Sequence, residues 1–257
     1  MKKKNIFFRS YNLLKRYLSY IAFRFKYPNV KMIYPLKIGT FYSQDGQDVF
    51  LSTLLFNYLN NNPNSWIVDI GCNHPSHFSN SLFFEKFFGC RVLAIDPLSE
   101  FEKIWSHERP TAKFISTAVG SSTTSIKLNI PQGKFSDNMF ATVTGGVNKA
   151  AELESLERTV QCKSMSSILA EQDITEILLM SIDVEGVELD VLKSLDFDSV
   201  MIRCMVIENN STKLYGDSVI RDYLTCRGYV FFARIGLIDD VFIHQSMISG
   251  HPNSLLF

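Results

Sequence analysis

The sequence predicts an α/β fold of the Rossmann-like type, with a mostly parallel seven-stranded sheet that ends in a C-terminal antiparallel hairpin. Short apolar runs alternate with helical stretches along most of the chain, which is typical of βαβ units on a parallel sheet. A length of 257 residues with 46% hydrophobic content is sufficient for one large core. The last two strands are joined by a turn near Gly236 that is too short for a parallel crossover, so they are expected to pair antiparallel.

Each predicted strand is an apolar run bounded by polar or turn residues. The seven strands are expected at residues 66–70, 91–96, 113–119, 177–184, 200–208, 229–233 and 241–244. Apolar residues at helical spacing predict helices at 45–59, capped by Ser43, and at 79–88, 99–107, 166–171, 187–195 and 218–227. Additional strands are expected at 125–130 and 160–163, around a polar loop at 131–146 that serves either as a lid over the acceptor or as a surface loop.

Charge divides the chain into a basic extension, residues 1–42, and an acidic domain, residues 43–257. Residues 1–44 contain ten Lys/Arg and no acid, whereas the rest contains 16 Lys/Arg against 26 Asp/Glu. Apolar residues of the extension recur at helical spacing, so it packs on its own domain or contacts an anionic membrane surface peripherally. Lys15, Arg16 and Arg24 interrupt the apolar residues, which argues against a signal peptide or a membrane span.

The five cysteines are widely spaced, without a CxxC pair or a His/Cys cluster at zinc spacing. They predict reduced, buried thiols in a cytoplasmic protein, located at most peripherally at the inner face of a membrane. No metal centre is predicted.

Carboxylates stand at the ends of four predicted strands, at Asp69, Asp96, Asp183, Glu185 and Glu208. Because the carboxyl ends of parallel strands meet at one edge of the sheet, these side chains are expected to surround a common ligand site. Such a site repels phosphate and suits S-adenosylmethionine (SAM), which carries a sulfonium and an ammonium group. The turn after the first strand has the single Gly71 in place of a GxGxxG motif, and Asp96 stands where an acid accepts hydrogen bonds from ribose hydroxyls.

Three segments resemble the FkbM-type methyltransferase family: YSQDGQD, DIGCNHPSHFSNSLFFEKFFGCRVLAIDP, and SIDVEGVELDVLKSLDF followed by VIEN. The resemblance covers residues 42–233 and leaves out the basic extension. It implies a SAM-dependent methyltransferase of the class I fold, commonly one that methylates hydroxyls of natural products or bacterial surface sugars. By position, the methionine part would lie at Asp69, Gly71, Cys72 and Asn73, the ribose at Asp96, and the adenine at Ala118 and Val119. Cys72 departs mildly from the family, where small residues such as Ala are common at this position.

A sugar hydroxyl is a poor nucleophile, so a base near the acceptor is expected. Asp183, in the D-x-E-G motif of the family, is the first candidate, and His74 and His77 are alternatives unless they bond their own loop backbone. Glu185 is expected to assist, to cap the following helix, or to chelate a cation with Asp183, although no third ligand is identifiable. Phe140 and Tyr215 are candidates for acceptor contact.

The sequence therefore predicts O-methylation of a sugar hydroxyl on a glycan or small-molecule acceptor. N- or carboxyl methylation remains open, as does a catalytically inactive scaffold in a polysaccharide-assembly complex. Nucleic acid is disfavoured as a partner because the domain is acidic.

Overall fold

The computed structural model describes residues 31–33, 41–121, 124–131, 141–143, 155–209, 217–236 and 238–248, with the backbone alone at 31–33 and 142–143. Most of the predicted extension, the larger part of the predicted lid, Phe140 and Tyr215 lie outside these residues.

Twelve strands are found in the described residues. They are β1 Lys31–Ile33, β2 Trp66–Ile70, β3 Arg91–Asp96, β4 Lys113–Ser116, β5 Ala118–Val119, β6 Ser125–Pro131, β7 Thr142–Val143, β8 Ser155–Lys163, β9 Glu176–Ile182, β10 Met201–Glu208, β11 Tyr229–Ile235 and β12 Asp239–His244.

Eight of these strands form the central sheet, in the order β1-β11-β12-β10-β9-β2-β3-β4. All neighbours pair parallel except β12, which is antiparallel to both β10 and β11. The predicted mostly parallel sheet and its C-terminal hairpin are confirmed, and the short β1 extends the sheet at one edge. Strand order reverses at β2, which has β3 on one side and β9 on the other, and ligands of open α/β sheets bind at such a switch point.

Seven α-helices connect the strands of the described chain. Their bounds are α1 Gln47–Leu54, α2 Phe56–Asn61, α3 Leu82–Phe88, α4 Glu102–Glu108, α5 Met165–Glu171, α6 Glu188–Lys193 and α7 Ser218–Thr225. The predicted helix at 45–59 is interrupted at Leu55, whose ψ of 8° is not helical. Gly46, not Ser43, is the N-cap residue of α1, although the Ser43 hydroxyl accepts a hydrogen bond from the Asp48 amide at 3.3 Å.

Buried apolar side chains pack into two clusters on the two faces of the sheet. Neighbouring strand residues such as Ile67 and Val68 belong to different clusters, as the alternation of side chains along a strand requires. The predicted α/β layering is therefore present, with the site-bearing strand ends held between two packed faces.

A second sheet, in the order β5-β8-β6-β7, stands beside the central one. The predicted strand at 113–119 divides at Thr117: its first part joins the central sheet and its last two residues pair with β8. The two additional strands expected from sequence correspond to β6 and β8, which pair antiparallel.

Asp240 links β12 to its neighbours through a fully buried ion-pair network. Its carboxylate contacts Arg221 of α7 at 2.8 Å and Arg234 of β11 at 2.5 Å. Four cysteines are buried, as expected, but Cys226 at the end of α7 is exposed, so the prediction was wrong for that thiol. Within the described residues, no helix has the length and apolar character needed to cross a membrane.

Candidate active site

A cavity of about 290 Å³ lies at the carboxyl ends of β2, β3 and β9. The seven residues predicted to hold a cofactor all line it: Asp69, Gly71, Cys72, Asn73, Asp96, Ala118 and Val119. Of the predicted catalytic residues, Asp183 and Glu185 line the cavity and His74 does not. Parallel strand ends bring these distant residues together, which is the reason the sequence pattern could locate them.

Gly71 makes the turn after β2 with a φ of 79°, a conformation that favours glycine. Its amide donates to the Ile95 carbonyl at 2.9 Å, which holds the turn against β3. A Cβ at this position would lie 1.8 Å from the backbone oxygen of Asp183. The missing side chain therefore permits close packing of two strand ends rather than the approach of a ligand.

Asp69 presents a buried carboxylate to the cavity. The side chain is 3% exposed, and its Oδ2 has no hydrogen-bond partner. Burial raises the pKa of Asp69, whereas a hydrogen bond with Ser81 and the charge of Arg109 oppose this rise. A buried carboxylate oxygen without a donor fits a cationic ligand group such as the ammonium of SAM.

Asp96 lies beside this turn and holds it. Its Oδ2 accepts from the Asn73 amide at 3.0 Å, and its Oδ1 accepts from the Leu98 amide at 2.8 Å. Burial raises the pKa of Asp96 to about 7, although both amides favour the ionised form. The remaining capacity of this carboxylate to accept hydrogen bonds suits ribose hydroxyls.

The side of the cavity next to Asp96 is apolar. Ala118 and Val119 are 6% and 7% exposed there, and the second sheet adds Ile126, Leu128 and Ala141. An apolar wall beside this carboxylate suits the flat faces of adenine. The contribution of the second sheet was not foreseen in sequence.

The opposite side is an acidic end, which consists of Asp45, Asp183, Glu185, Glu208 and Asp239. The Asp183 side chain is exposed where it faces the cavity, and its acidic neighbours Glu185 and Glu208 lie close beside it. Its pKa is raised well above the ordinary value, first by burial and then by Glu208 and Glu185. Asp239 accepts from the Gln47 amide nitrogen at 2.8 Å, and its pKa is raised to about 7 by burial and by Glu208.

Three members of the acidic end have carboxylate oxygens within 4.8 Å of one another: Asp183, Glu185 and Glu208. Glu208, already expected at this edge of the sheet, is thus the third candidate ligand for a cation, a role that the sequence did not assign to it. Clusters of this kind are common in proteins without a metal, so the geometry alone assigns no ion. At the start of α6, the carboxylate that accepts a backbone hydrogen bond is Glu188, whose Oε1 accepts from the Gly186 amide at 2.8 Å.

His74 bonds its own loop. Its Nδ1 accepts from the amides of Ser76 and His77 at 3.2 and 3.3 Å, and burial lowers its pKa. The sequence left this backbone-bonded alternative open. The two hydrogen bonds engage the lone pair of Nδ1, which a base would need to accept a proton. His77 lines the cavity instead.

Sequence reasoning missed Phe78, Asn80, Asp239 and Arg109. Phe78 is half-exposed on the cavity wall with a φ of 55°, and Asn80 donates to the Ser181 hydroxyl at 2.9 Å. Phe78 and Asn80 lie inside a segment that carries the family resemblance, so the resemblance could have identified them. Asp239 and Arg109 had no such signal, since they stand apart from every motif.

The strand order, with an antiparallel β12 and an acidic cavity at the switch point, defines the class I methyltransferase fold. The sequence model of the methyltransferase FkbM domain matches residues 69–231, and the chain belongs to this family. Among solved structures, one similar chain is described as a ribosomal RNA methyltransferase from Plasmodium falciparum. It has 13% sequence identity and a TM-score of 0.39, over 79% of this chain and 97% of that chain. No curated protein matches this chain in sequence.

Proposed function

We propose that this methyltransferase transfers a methyl group from SAM to a hydroxyl group of a sugar, in a surface polysaccharide or a related glycan or natural product. The observation that carries the proposal is that the turn at Asp69–Asn73 and four of the five carboxylates of the acidic end line one continuous cavity. A donor held on one side and an acceptor on the other would then react within the same enclosure.

The residues on the cofactor side fit SAM. The Oδ2 of Asp69 would receive the ammonium group, Asp96 would receive the ribose hydroxyls, and Ala118 and Val119 would contact adenine. Bound SAM supplies an electrophilic methyl group.

Asp183 is the residue we propose as the base on the acceptor side. Burial and the neighbours Glu208 and Glu185 raise the pKa of Asp183, so its ionised form is a stronger proton acceptor than an ordinary aspartate. Its contact with the cavity allows the carboxylate to receive the proton of a hydroxyl.

A neutral sugar suits the rest of the cavity. Phe78 is 50% exposed and offers an apolar ring face, and the neighbouring Asn80 offers a polar side chain. Among the described lining residues there is no Lys or Arg, so a phosphate or carboxylate on the acceptor lacks a cationic partner. This disfavours carboxyl methylation and nucleic-acid substrates.

Methylation of an amine is the second candidate, because the acidic end also accommodates a cation. An inactive scaffold would need no cavity that joins a cofactor turn to a candidate base. We further propose that the protein acts in the cytoplasm, with residues 1–40 in peripheral contact with the inner face of a membrane.

The test is mass spectrometry of surface glycans from cells with and without the gene, followed by transfer from methyl-labelled SAM in vitro. A methyl-sized mass loss on a sugar oxygen in the deletion strain is expected, and wild-type protein should restore it. A label on nitrogen would favour the second candidate. Unaltered glycans, together with no SAM binding by the purified protein, would reject the enzymatic proposal.

A further inference from the structure

Arg109 is a buried cation next to the cofactor turn, in a part of the chain that no motif covers. It follows directly after α4, and its side chain is 3% exposed. The guanidinium lies over the Trp105 ring, 4.5 Å from the ring centroid. A buried Arg is costly unless it is paired, and Nε and Nη1 of Arg109 bond the loop before α3 and the first turns of α3.

The guanidinium joins the two halves of the loop between β2 and α3. Nη1 donates to the Pro75 carbonyl at 3.1 Å, and to the hydroxyls of Ser79 and Ser81 at 3.2 and 3.1 Å. Nε donates to Glu85 of α3 at 2.6 Å. This loop carries the Asn73 end of the cofactor turn and the cavity residues up to Asn80.

Trp105 reinforces the same connection. Its indole nitrogen donates to the Asn73 carbonyl at 2.7 Å. The end of α4 thus holds the loop at Asn73 through Trp105 and at Pro75–Ser81 through Arg109.

Ser81 connects Arg109 to Asp69. The hydroxyl receives the hydrogen bond from Nη1, and it also bonds the Asp69 carboxylate. Arg109 and Asp69 each retain one buried atom without a partner, Nη2 and Oδ2. The Oδ2 of Asp69 is the oxygen assigned above to the ammonium group.

We propose that Arg109 is a positioning residue for the cofactor: through Ser81 it orients the Asp69 carboxylate and maintains its negative charge for the ammonium group of SAM. This inference rests on the proposed function. Arg109 itself does not line the cavity, so its effect on the ligand is transmitted by Asp69 and by the loop.

The charge of Asp69 depends on few neighbours. Asp96 on β3 and the Cys72 thiol in the turn are the titratable groups beside it, and Arg109 is the cation that lowers its pKa against burial. Loss of Arg109 therefore leaves the Asp69 carboxylate without the nearby positive charge. The pH dependence of SAM affinity should then change, which a merely structural role would not cause.

The experiment compares SAM affinity by calorimetry between pH 6 and 9 in the wild type, Arg109→Met and Arg109→Lys. Arg109→Met should weaken SAM binding at least about tenfold at neutral pH. The loss of affinity that accompanies protonation of Asp69 as pH falls should also begin at a higher pH than in the wild type. Arg109→Lys should restore the wild-type pH profile but only part of the affinity, because an ammonium cannot replace the fork of the guanidinium.

Arg91→Met is the matched control. Arg91 also stacks on a tryptophan, Trp66, at 4.4 Å and donates to a backbone carbonyl, but at the opposite end of β3. Its loss should leave SAM affinity unchanged. Should Arg109→Met not fold, Ser81→Ala removes the link to Asp69 and keeps the guanidinium, and the same weakening is expected.

Wild-type affinity in folded Arg109→Met or in Ser81→Ala would overturn the inference, as would weaker binding with an unchanged pH profile. Absence of SAM binding by the wild type would instead reject the proposed function.

Discussion

The Asp96 carboxylate accepts hydrogen bonds from the amides of Asn73 and Leu98, and it also faces the position that we propose for the ribose. With its pKa raised to about 7, part of the population is protonated at neutral pH. Ribose hydroxyls donate to the ionised form, so binding favours loss of this proton. SAM affinity should therefore rise as pH increases through about 7 and level off above it.

Asp96→Ala should weaken SAM binding about 10–100-fold at pH 8, because it removes charge-assisted hydrogen bonds. Asp96→Asn keeps the shape but cannot titrate, so its affinity should lose most of the pH dependence. Calorimetry that finds wild-type affinity in the Ala variant would refute the ribose assignment.

Kinetics of variants can decide whether Asp183 or His74 is the catalytic base. A base acts mainly in the transition state, so Asp183→Asn should lower kcat about 10²–10⁴-fold and leave the Kd for SAM nearly unchanged. His74→Gln should retain most of its kcat, because Nδ1 of His74 bonds the loop backbone. If instead the His74 variant loses activity and the Asp183 variant keeps it, the base assignment is reversed.

At the scale of elements, the turn after β2 has a steric requirement that can be isolated. Gly71 and Gly89 both have positive φ, of 79° and 64°, but a Cβ would meet the Asp183 backbone only at Gly71. Gly89→Ala should cost about 1 kcal/mol for the backbone conformation alone. Gly71→Ala adds a backbone clash and should cost about 3 kcal/mol or more, measured by urea unfolding. Equal costs would show that β2 and β9 separate freely at this point.

Elements with strong periodicity were predictable, and their interruptions were not. The apolar runs of the central strands identify them because both faces of a parallel sheet are buried. The break at Leu55 and the division at Thr117 depend on tertiary packing, since no Pro or Gly marks either position. The three-residue β1 pairs with β11, about two hundred residues later, and no local pattern indicates such a partner.

At the scale of the whole molecule, the convergence of the strand-end carboxylates on one cavity was predictable because parallel strand ends must share an edge. Asp69 and Asp96 follow from that rule, as does Asp183 at the acidic end. Gln47 and Asp239 do not, because their hydrogen bond joins residues 192 positions apart and depends on where the C-terminal hairpin is inserted. The wall from the second sheet was missed for the same reason.

The membrane hypothesis concerns the ten bases in residues 1–44, and deletion of 1–30 removes eight of them without removing β1. Full-length protein should float with vesicles that contain anionic lipid and stay in solution with neutral vesicles. Added salt should release it, because the attraction is electrostatic. The truncated protein should stay in solution in both cases. If full-length protein does not float, the extension serves another purpose.

The position of β12 has a consequence for synthesis on the ribosome. Domains are made from the N-terminus, and β12 is the last strand of the described chain, yet it lies between β10 and β11. Until it emerges, β10 has one backbone edge without a partner, and Arg221 and Arg234 lack the Asp240 carboxylate. Exposed strand edges pair readily with other chains. A nascent chain that stalls before Asp239 should therefore be a target for chaperones, which bind such exposed edges.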